Sequence, residues 1–273
     1  MPDSEGSEAL GPGSRDLDGL VEGAVNLRDL GGLRTRDGAR IRPRRLLRSG
    51  LMHAITEAGL ATLRDTLGIR TVIDFRDPGE RAEDGLVDWR RHGVTALHLP
   101  PLSEAAFAAQ QRAVSGEQAA AWKASQPGGG LDRALYRHLV NGDTGRHAYR
   151  VFLERLADPA TGPTVFHCSG GRDRTGIAAA LALTVLGVDE AVICEDYRLS
   201  GDQLRPHTHH FVEQLATFGL TESQWFKLIQ CRAATMAGLL DDLRAGFGSP
   251  IAYVEEIGVG SDTVAAIRAA LLD

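Results

Sequence analysis

The chain has 273 residues, of which 43% are hydrophobic and 24% charged, and its formal net charge is −6. A compact chain of this length buries roughly 70–75% of its extended-chain surface, enough for one sizeable domain; the composition excludes a largely disordered chain, a collagen and a disulfide-stapled miniprotein. The acidic balance argues against a basic nucleic-acid binder and leaves room for a local basic pocket.

Residues 1–20 are rich in Gly, Ser, Pro and Asp, with five acidic residues, one Arg and no apolar segment. They do not read as a secretory signal and are expected to form a disordered tail. No apolar run approaches the ~18–20 residues of a membrane span. The cysteines, Cys168, Cys194 and Cys231, are widely spaced and include no C-x-x-C pair. That usage fits a reducing compartment, so the expectation is a soluble cytoplasmic protein.

The globular pattern starts at Val21. Asp37-Gly38 predicts a hairpin turn between 33–35 and 39–41. Residues 45–48 form a short strand candidate. Thr56 is placed to N-cap a helix running to Leu67, with Leu60, Leu63 and Leu67 at helical spacing and Gly68 as its stop. Residues 71–75 and 94–99 read as strands. The stretch 102–146 reads as a helical insertion: an Ala/Gln-rich segment over 104–112, then Trp122, a break at 127–130, and a second helix with Leu131, Leu135 and Leu139 one turn apart. Such an insertion is either ordinary packing or a mobile cover for a site. Tyr149, Phe152, Leu153 and Leu156 give the next helix one apolar face. Met236, Leu239, Leu240 and Leu243, ended by Gly246, form another, and Val264, Ile267 and Leu271 a third. Strands alternate with helices through the middle and helices take over at the end. The pattern predicts an α/β fold over 21–273, a central mostly parallel sheet flanked by helices.

The most informative residues are His167-Cys168-Ser169-Gly170-Gly171-Arg172-Asp173-Arg174-Thr175-Gly176. A strand-like stretch, 163–166, precedes them. An apolar helical run, 177–186, follows and stops at Gly187. Strand, Gly-containing loop and helix N-terminus make an anion site: backbone N–H groups point inward and the helix dipole adds partial positive charge. The reactive form of cysteine is the thiolate, which positive surroundings favour. Cys168 has the helix start and Arg174 for this, and His167 beside it. Ser169, Gly170, Gly171, Arg172, Asp173 and Arg174 would cradle a phosphate, with the Arg174 fork taking two oxygens. In-line attack by the sulfur then gives a phosphocysteine that water hydrolyses. The Thr175 hydroxyl could donate to the departing sulfur. A leaving alkoxide or phenoxide needs a proton; Asp173 is the first candidate for the acid and Asp74 the second. Asp173 could instead anchor the loop. Arg172 either adds positive charge to the site or is a solvated surface residue. Cys194 and Cys231 lie in helical stretches and read as core thiols. The loop lacks the G-K-[ST] ending of a nucleotide-binding P-loop.

These residues resemble the atypical bacterial tyrosine/serine phosphatases, whose loop reads H-C-x-A-G-K-D-R-T-G. Asn26-Leu27-Arg28-Asp29-Leu30-Gly31-Gly32 matches the family's N-F-R-D-L-G-G box, and Arg48-Ser49, Asp74-Phe75-Arg76 and Asp196-Tyr197 also look like the family. The departures are Leu27 for Phe, Gly170 for Ala and Arg172 for Lys; the last keeps the charge and changes the hydrogen-bond geometry. The resemblance runs from about Val21 to the C-terminus. It implies a cysteine-dependent phosphatase needing no metal or cofactor, with Cys168 as nucleophile, Arg174 as phosphate binder and Asp173 as acid. It also implies phosphotyrosine substrates, with phosphoserine/threonine and phosphoinositides taken by some relatives. Some relatives carry a helical lid, where 102–146 would fall, and a few are exported without a signal peptide. The expected partner is therefore a phosphorylated protein or a phosphoinositide, with no nucleic acid and no transmembrane segment; the oligomeric state stays open.

Two rival readings remain, a rhodanese-like sulfurtransferase and a non-catalytic phosphate-binding module. Arg174-Thr175 after Asp173 favours phosphate over sulfane sulfur, and a binder needs no nucleophile. His207-Thr208-His209-His210 does not align its imidazoles on one helix face and lacks matching carboxylates, so it reads as solvated helix-start residues rather than a metal site. Arg42, Arg44, Arg45 and Arg48 form a basic run, read as a solvated strand and turn or as a docking surface for anionic lipid or acidic substrate.

Overall fold

The computed structural model describes residues 15–50, 52–103, 130–207 and 230–273. The helix expected over 104–112, Trp122, and His209 and His210 lie outside the described residues. The described strands are β1 (Arg28–Asp29), β2 (Leu46–Ser49), β3 (Thr71–Asp74), β4 (Thr95–His98) and β5 (Thr164–His167). They form one sheet in the order β1-β2-β5-β3-β4. All pairings are parallel except β1 on β2 at the edge, so the sheet is mostly parallel as the alternation predicts. Successive side chains point to opposite faces. Leu46, Ile73 and Phe166 enter the larger core, while Leu47, Val72 and Val165 enter a second one behind the sheet. With both faces covered, the inner strands read as apolar runs without alternation.

The described α-helices are α1 (Glu57–Ala61), α2 (Pro78–Asp84), α3 (Gly130–Asn141), α4 (Asp143–Ala157), α5 (Asp173–Leu186), α6 (Glu190–Leu204), α7 (Ala233–Phe247), α8 (Pro250–Glu256) and α9 (Ser261–Leu271). The predicted faces of α4 and α7 are buried in the larger core, where Phe152 packs against both Phe75 and Phe166. Helix α5 is buried almost all round, which explains its unbroken apolar sequence. It stops at Gly187, whose positive φ of 80° lets its N–H turn back onto the Leu183 and Thr184 carbonyls.

Several local expectations shift. Thr56 does cap its helix, accepting from the Gly59 N–H, but α1 ends at Ala61 and Thr62–Thr66 continues as a π-helix. The cause is an i→i+5 bond from the Leu67 N–H to the Thr62 carbonyl. The Asp37-Gly38 turn closes a single bridge, Arg34 to Arg40. Across the turn the Thr35 N–H bonds the Ala39 carbonyl and the Ile41 N–H the Leu33 carbonyl; Thr35 and Ile41 also bridge Val188 and Leu272, which ties the turn to the end of α5 and to the C-terminus. Helix α7 runs through Phe247 and ends at Gly248 rather than Gly246. The packed chain begins ahead of Val21: Asp16 bridges Arg28, Leu17 is buried, and Arg15 pairs with Asp196. Among the described residues, no helix is long and apolar enough to cross a membrane. The carboxyl ends of β2, β5 and β3 lie level, with Ser49 and Asp74 both in register with His167, and there the chemistry-bearing loop begins.

Candidate active site

Strand β5 delivers Cys168, and four loop residues later α5 starts at Asp173. The loop turns at Gly171, whose φ is +66° and where a Cβ would lie 2.5 Å from the Ser49 carbonyl oxygen, so only glycine fits. At Gly170 a Cβ would meet nothing closer than 4.0 Å, so the family's Ala would fit there. The Gly170 and Gly171 carbonyls are turned outward, onto Asn26 Nδ2 at 3.0 Å and Arg48 Nη2 at 2.6 Å. The N–H groups of Ser169, Gly170 and Gly171 find no backbone acceptor among the described residues. Carbonyls bonded to the outer scaffold and N–H groups without a backbone acceptor, at a helix start, suit an anion. Cys168 lies at the foot of this loop with 2% of its surface exposed.

The box around Asn26 supplies the outer scaffold. Arg28 and Arg48 are both buried and converge on Asp196 of α6, through Arg28 Nε at 2.9 Å and Arg48 Nη1 at 2.5 Å. Ser200 Oγ accepts from both guanidiniums, and Arg28 Nη1 holds Asn26 Oδ1. Burial alone would raise the Asp196 pKa, but the Arg28 and Arg48 charges outweigh it and keep the carboxylate ionised. The Asn26–Gly32 box, Arg48-Ser49 and Asp196-Tyr197 thus act as one unit, a buried ion cluster bonded to the outside of the loop.

Arg174 is aimed by a residue that sequence reasoning missed. Its Nη1 and Nη2 both bond the Glu80 carboxylate, Nη2 at 2.7 Å, and Nη1 also reaches the Phe75 carbonyl at 3.3 Å. A guanidinium has five N–H donors. Glu80 and Phe75 take the end-on pair and the outer Nη1 hydrogen, which leaves the side edge, Nε–H and the second Nη2–H, to bind two phosphate oxygens. Glu80 also accepts from Ser169 Oγ at 2.8 Å, and it closes a capping box with Asp77 at the start of α2. Burial opposes the Glu80 charge, yet Arg174 outweighs it and holds the carboxyl well below the usual range. Asp77 carries the cost: burial, and then its hydrogen bond with Glu80, push it up to about 7. The signal was in the sequence, since Asp77-Pro78-Gly79-Glu80 is a capping-box pattern.

The other expected site residues divide. Asp173 sits at the first position of α5, where Oδ1 accepts from Tyr136 Oη at 2.7 Å and from Arg172 Nε at 2.9 Å. Burial pushes the carboxyl up, but the Arg172 charge and the Tyr136 hydroxyl outweigh it and hold it below its ordinary value. Arg172 therefore spends its Nε on Asp173 rather than lying solvated. Asp74 is paired with Arg76, whose Nη2 lies at 2.9 Å and whose Nε lies 3.2 Å from both oxygens. Thr175 Oγ1 is buried without a hydrogen-bond partner, so the expected contact with the sulfur is not formed. His167 is buried, and burial holds its pKa below the ordinary imidazole value. It brings no positive charge to Cys168 at neutral pH and supports the loop through its ring contact with the Cys168 carbonyl.

Cys194 and Cys231 are buried free thiols, and burial pushes Cys194 up to about 11, as suits inert core residues. The basic run does not form one surface: Arg48 is buried under the loop, while Arg42 and Arg44 bond the Ala270 and Thr66 carbonyls. His207 bonds Asp18 at 2.8 Å. Among the described residues there is no cluster of three or more potential metal ligands.

A protein of Cupriavidus necator, named provisionally as a tyrosine-protein phosphatase, is 32% identical over 233 residues, 85% of this chain and 80% of its own. Triple specificity protein phosphatase PtpB of Mycobacterium tuberculosis is 29% identical over 279 residues, 92% of this chain and 98% of that one. Solved structures are more distant: the core catalytic domain of the PP-IP phosphatase SIW14 from S. cerevisiae has a TM-score of 0.37 at 15% identity, covering 64% of this chain and 75% of that one, too loose a likeness to argue from. The model of the tyrosine phosphatase family matches residues 20–273, and with that match the chain belongs to the tyrosine phosphatase family.

Proposed function

We propose that this tyrosine phosphatase hydrolyses phosphate monoesters, phosphotyrosine foremost, through a phosphocysteine on Cys168. The observation that carries the reading is the loop itself: N–H groups without a backbone acceptor at the start of α5, a sulfur at the foot, and the side edge of Arg174 left open by Glu80. A dianionic phosphate held by those amides and that edge presents its phosphorus to the Cys168 sulfur. Attack forms the S–P bond and expels the alkoxide or phenoxide. Asp173 is the proposed proton donor. Its carboxylate is ionised in the unliganded chain, but an arriving phosphate dianion is a like charge beside it and raises its proton affinity. In the second half Asp173, now ionised, takes a proton from the water that cleaves the S–P bond and releases inorganic phosphate. The resemblance in the loop extends the proposed substrates to phosphoserine, phosphothreonine and phosphoinositides. A cytoplasmic setting fits the free thiols.

The test is a panel of phosphotyrosine peptide, phosphoserine peptide and phosphoinositide, run with the wild type and Cys168→Ser in the presence of EDTA. The wild type is expected to release phosphate from phosphotyrosine fastest, and the variant to release none from any substrate while still binding phosphopeptide. Turnover by Cys168→Ser, or loss of wild-type turnover to EDTA, would overturn the mechanism.

A further inference from the structure

Asp173 has two oxygens in unlike surroundings. Oδ1 receives Tyr136 Oη at 2.7 Å and Arg172 Nε at 2.9 Å, while no donor meets Oδ2 among the described residues. Tyr136 is fully buried on α3, within the 102–146 insertion, and its hydroxyl also lies 2.7 Å from that of Tyr197 on α6. An ionised carboxylate accepts only, and each hydroxyl has one hydrogen. The chain of bonds therefore runs one way, Tyr197 to Tyr136 to Asp173. The two rings meet edge to face, with centroids 6.2 Å apart. We infer that Tyr136 is a positioning residue for the phosphatase reaction: by tying Oδ1 it reserves Oδ2 as the oxygen that carries the proton to the leaving group.

This inference rests on the reading of Asp173 as the acid. It gives the insertion a part in the chemistry, since a helix some 30 residues before the loop supplies the hydroxyl that aims the acid. Among the described residues, the charged and titratable groups around Asp173 are Arg172 in the loop, Arg174 at the start of α5, Cys168 at the foot of the loop, Tyr136 on α3, Tyr149 on α4 and Tyr197 on α6. Of these, Tyr136 can lose its hydroxyl without a change of charge or ring packing.

The experiment compares wild type, Tyr136→Phe and Asp173→Asn on two substrates. One is p-nitrophenyl phosphate, whose phenol leaves readily without a proton; the other is a phosphoserine or phosphotyrosine peptide, whose alcohol does not. For Tyr136→Phe, kcat/KM on the peptide, which reads the steps up to transfer of the phosphoryl group to Cys168, should fall about tenfold, the cost of misaiming one acid. On p-nitrophenyl phosphate kcat/KM should stay within about twofold; kcat on either substrate also reads the hydrolysis of the phosphocysteine, in which Asp173 acts as the base. The alkaline limb of the peptide pH profile should move to higher pH, because the ionised carboxylate has lost a donor. A role in packing alone would lower both substrates together and leave the limb in place, and that result overturns the inference. Asp173→Asn separates the two readings. If its kcat/KM falls equally on both substrates, or on neither, the acid assignment fails and this inference with it. If Asp173→Asn is selective for the peptide and Tyr136→Phe is not, the acid stands and only the role of Tyr136 is lost.

Discussion

Thr175 shows how a buried group can stand against stability and for activity. Its hydroxyl is fully buried and makes no hydrogen bond, one position past the arginine of the phosphate loop. An unsatisfied buried hydroxyl costs about 1–3 kcal/mol, and Val has the same shape without it. Thr175→Val is therefore expected to raise Tm by a few degrees, with about 2–4 °C per kcal/mol at this chain length. It should also lower kcat if the hydroxyl swings to the sulfur when phosphate leaves it. A thermal melt beside steady-state kinetics reads both, and an unchanged Tm would mean that the hydroxyl is satisfied in solution. Asp77 is the titratable counterpart. Folded, it holds its proton to about pH 7, whereas unfolded it releases it near the ordinary carboxylate value. The folded chain thus binds more protons across that interval, and its stability falls as pH rises through it and levels off above. Asn keeps the N-cap acceptor of α2. Asp77→Asn should therefore gain over the wild type between about pH 4 and pH 7 and hold a constant advantage beyond. Tenfold in proton affinity is about 1.4 kcal/mol, which bounds that advantage at about 4 kcal/mol. Chemical denaturation at pH 5 and pH 8 measures it; equal gains at both would remove Asp77 as the source.

Helix α6 and strands β1 and β2 meet the loop through one buried carboxylate. Asp196 compensates Arg28 and Arg48 at once; Arg48 holds the outward carbonyl of Gly171, and Asn26, itself held by Arg28, that of Gly170. Breaking a buried ion pair from one side costs about 3–5 kcal/mol, since the other charge stays buried. Asp196→Asn is expected to lose about that much in urea unfolding, with a weaker loop and a higher KM in whatever folds; a loss under 1 kcal/mol would show that water relieves the arginines. The loop, β5 and α5 were legible because their signals are local: a Gly-containing turn, an apolar strand before it and an Ala-rich helix stopped by Gly187. The partners of the loop were not, because they come from far along the chain. Glu80 reaches Arg174 across 94 positions and Tyr136 reaches Asp173 across 37. No spacing rule spans such gaps, although the capping box at Asp77 marked Glu80 as a residue with a fixed geometry. The partner of Asp74 was hidden for a different reason: Arg76 is two positions away, and it points back at Asp74 only once β3 has ended.

The site is not an appendage of the fold. Its backbone joins the ends of β2 and β5 to the start of α5, the helix at the centre of the larger core, and its arginine is braced from α2. A ligand bound there must be released before the chain unfolds, so binding should stabilise the whole domain rather than one loop. The size follows from mass action: at a hundredfold excess over Kd, a ligand of the folded state alone adds about 2.7 kcal/mol, or roughly 5–10 °C of Tm for a chain of this length. Tungstate is a suitable probe, a tetrahedral oxyanion that needs no covalent bond to sulfur. The wild type and Cys168→Ser should both show the shift, because the amides and Arg174 remain in each. Arg174→Ala should lose it, because the side edge left open by Glu80 supplies two of the oxygen contacts. A shift that survived Arg174→Ala would place the anion elsewhere on the molecule and sever the link between this loop and phosphate.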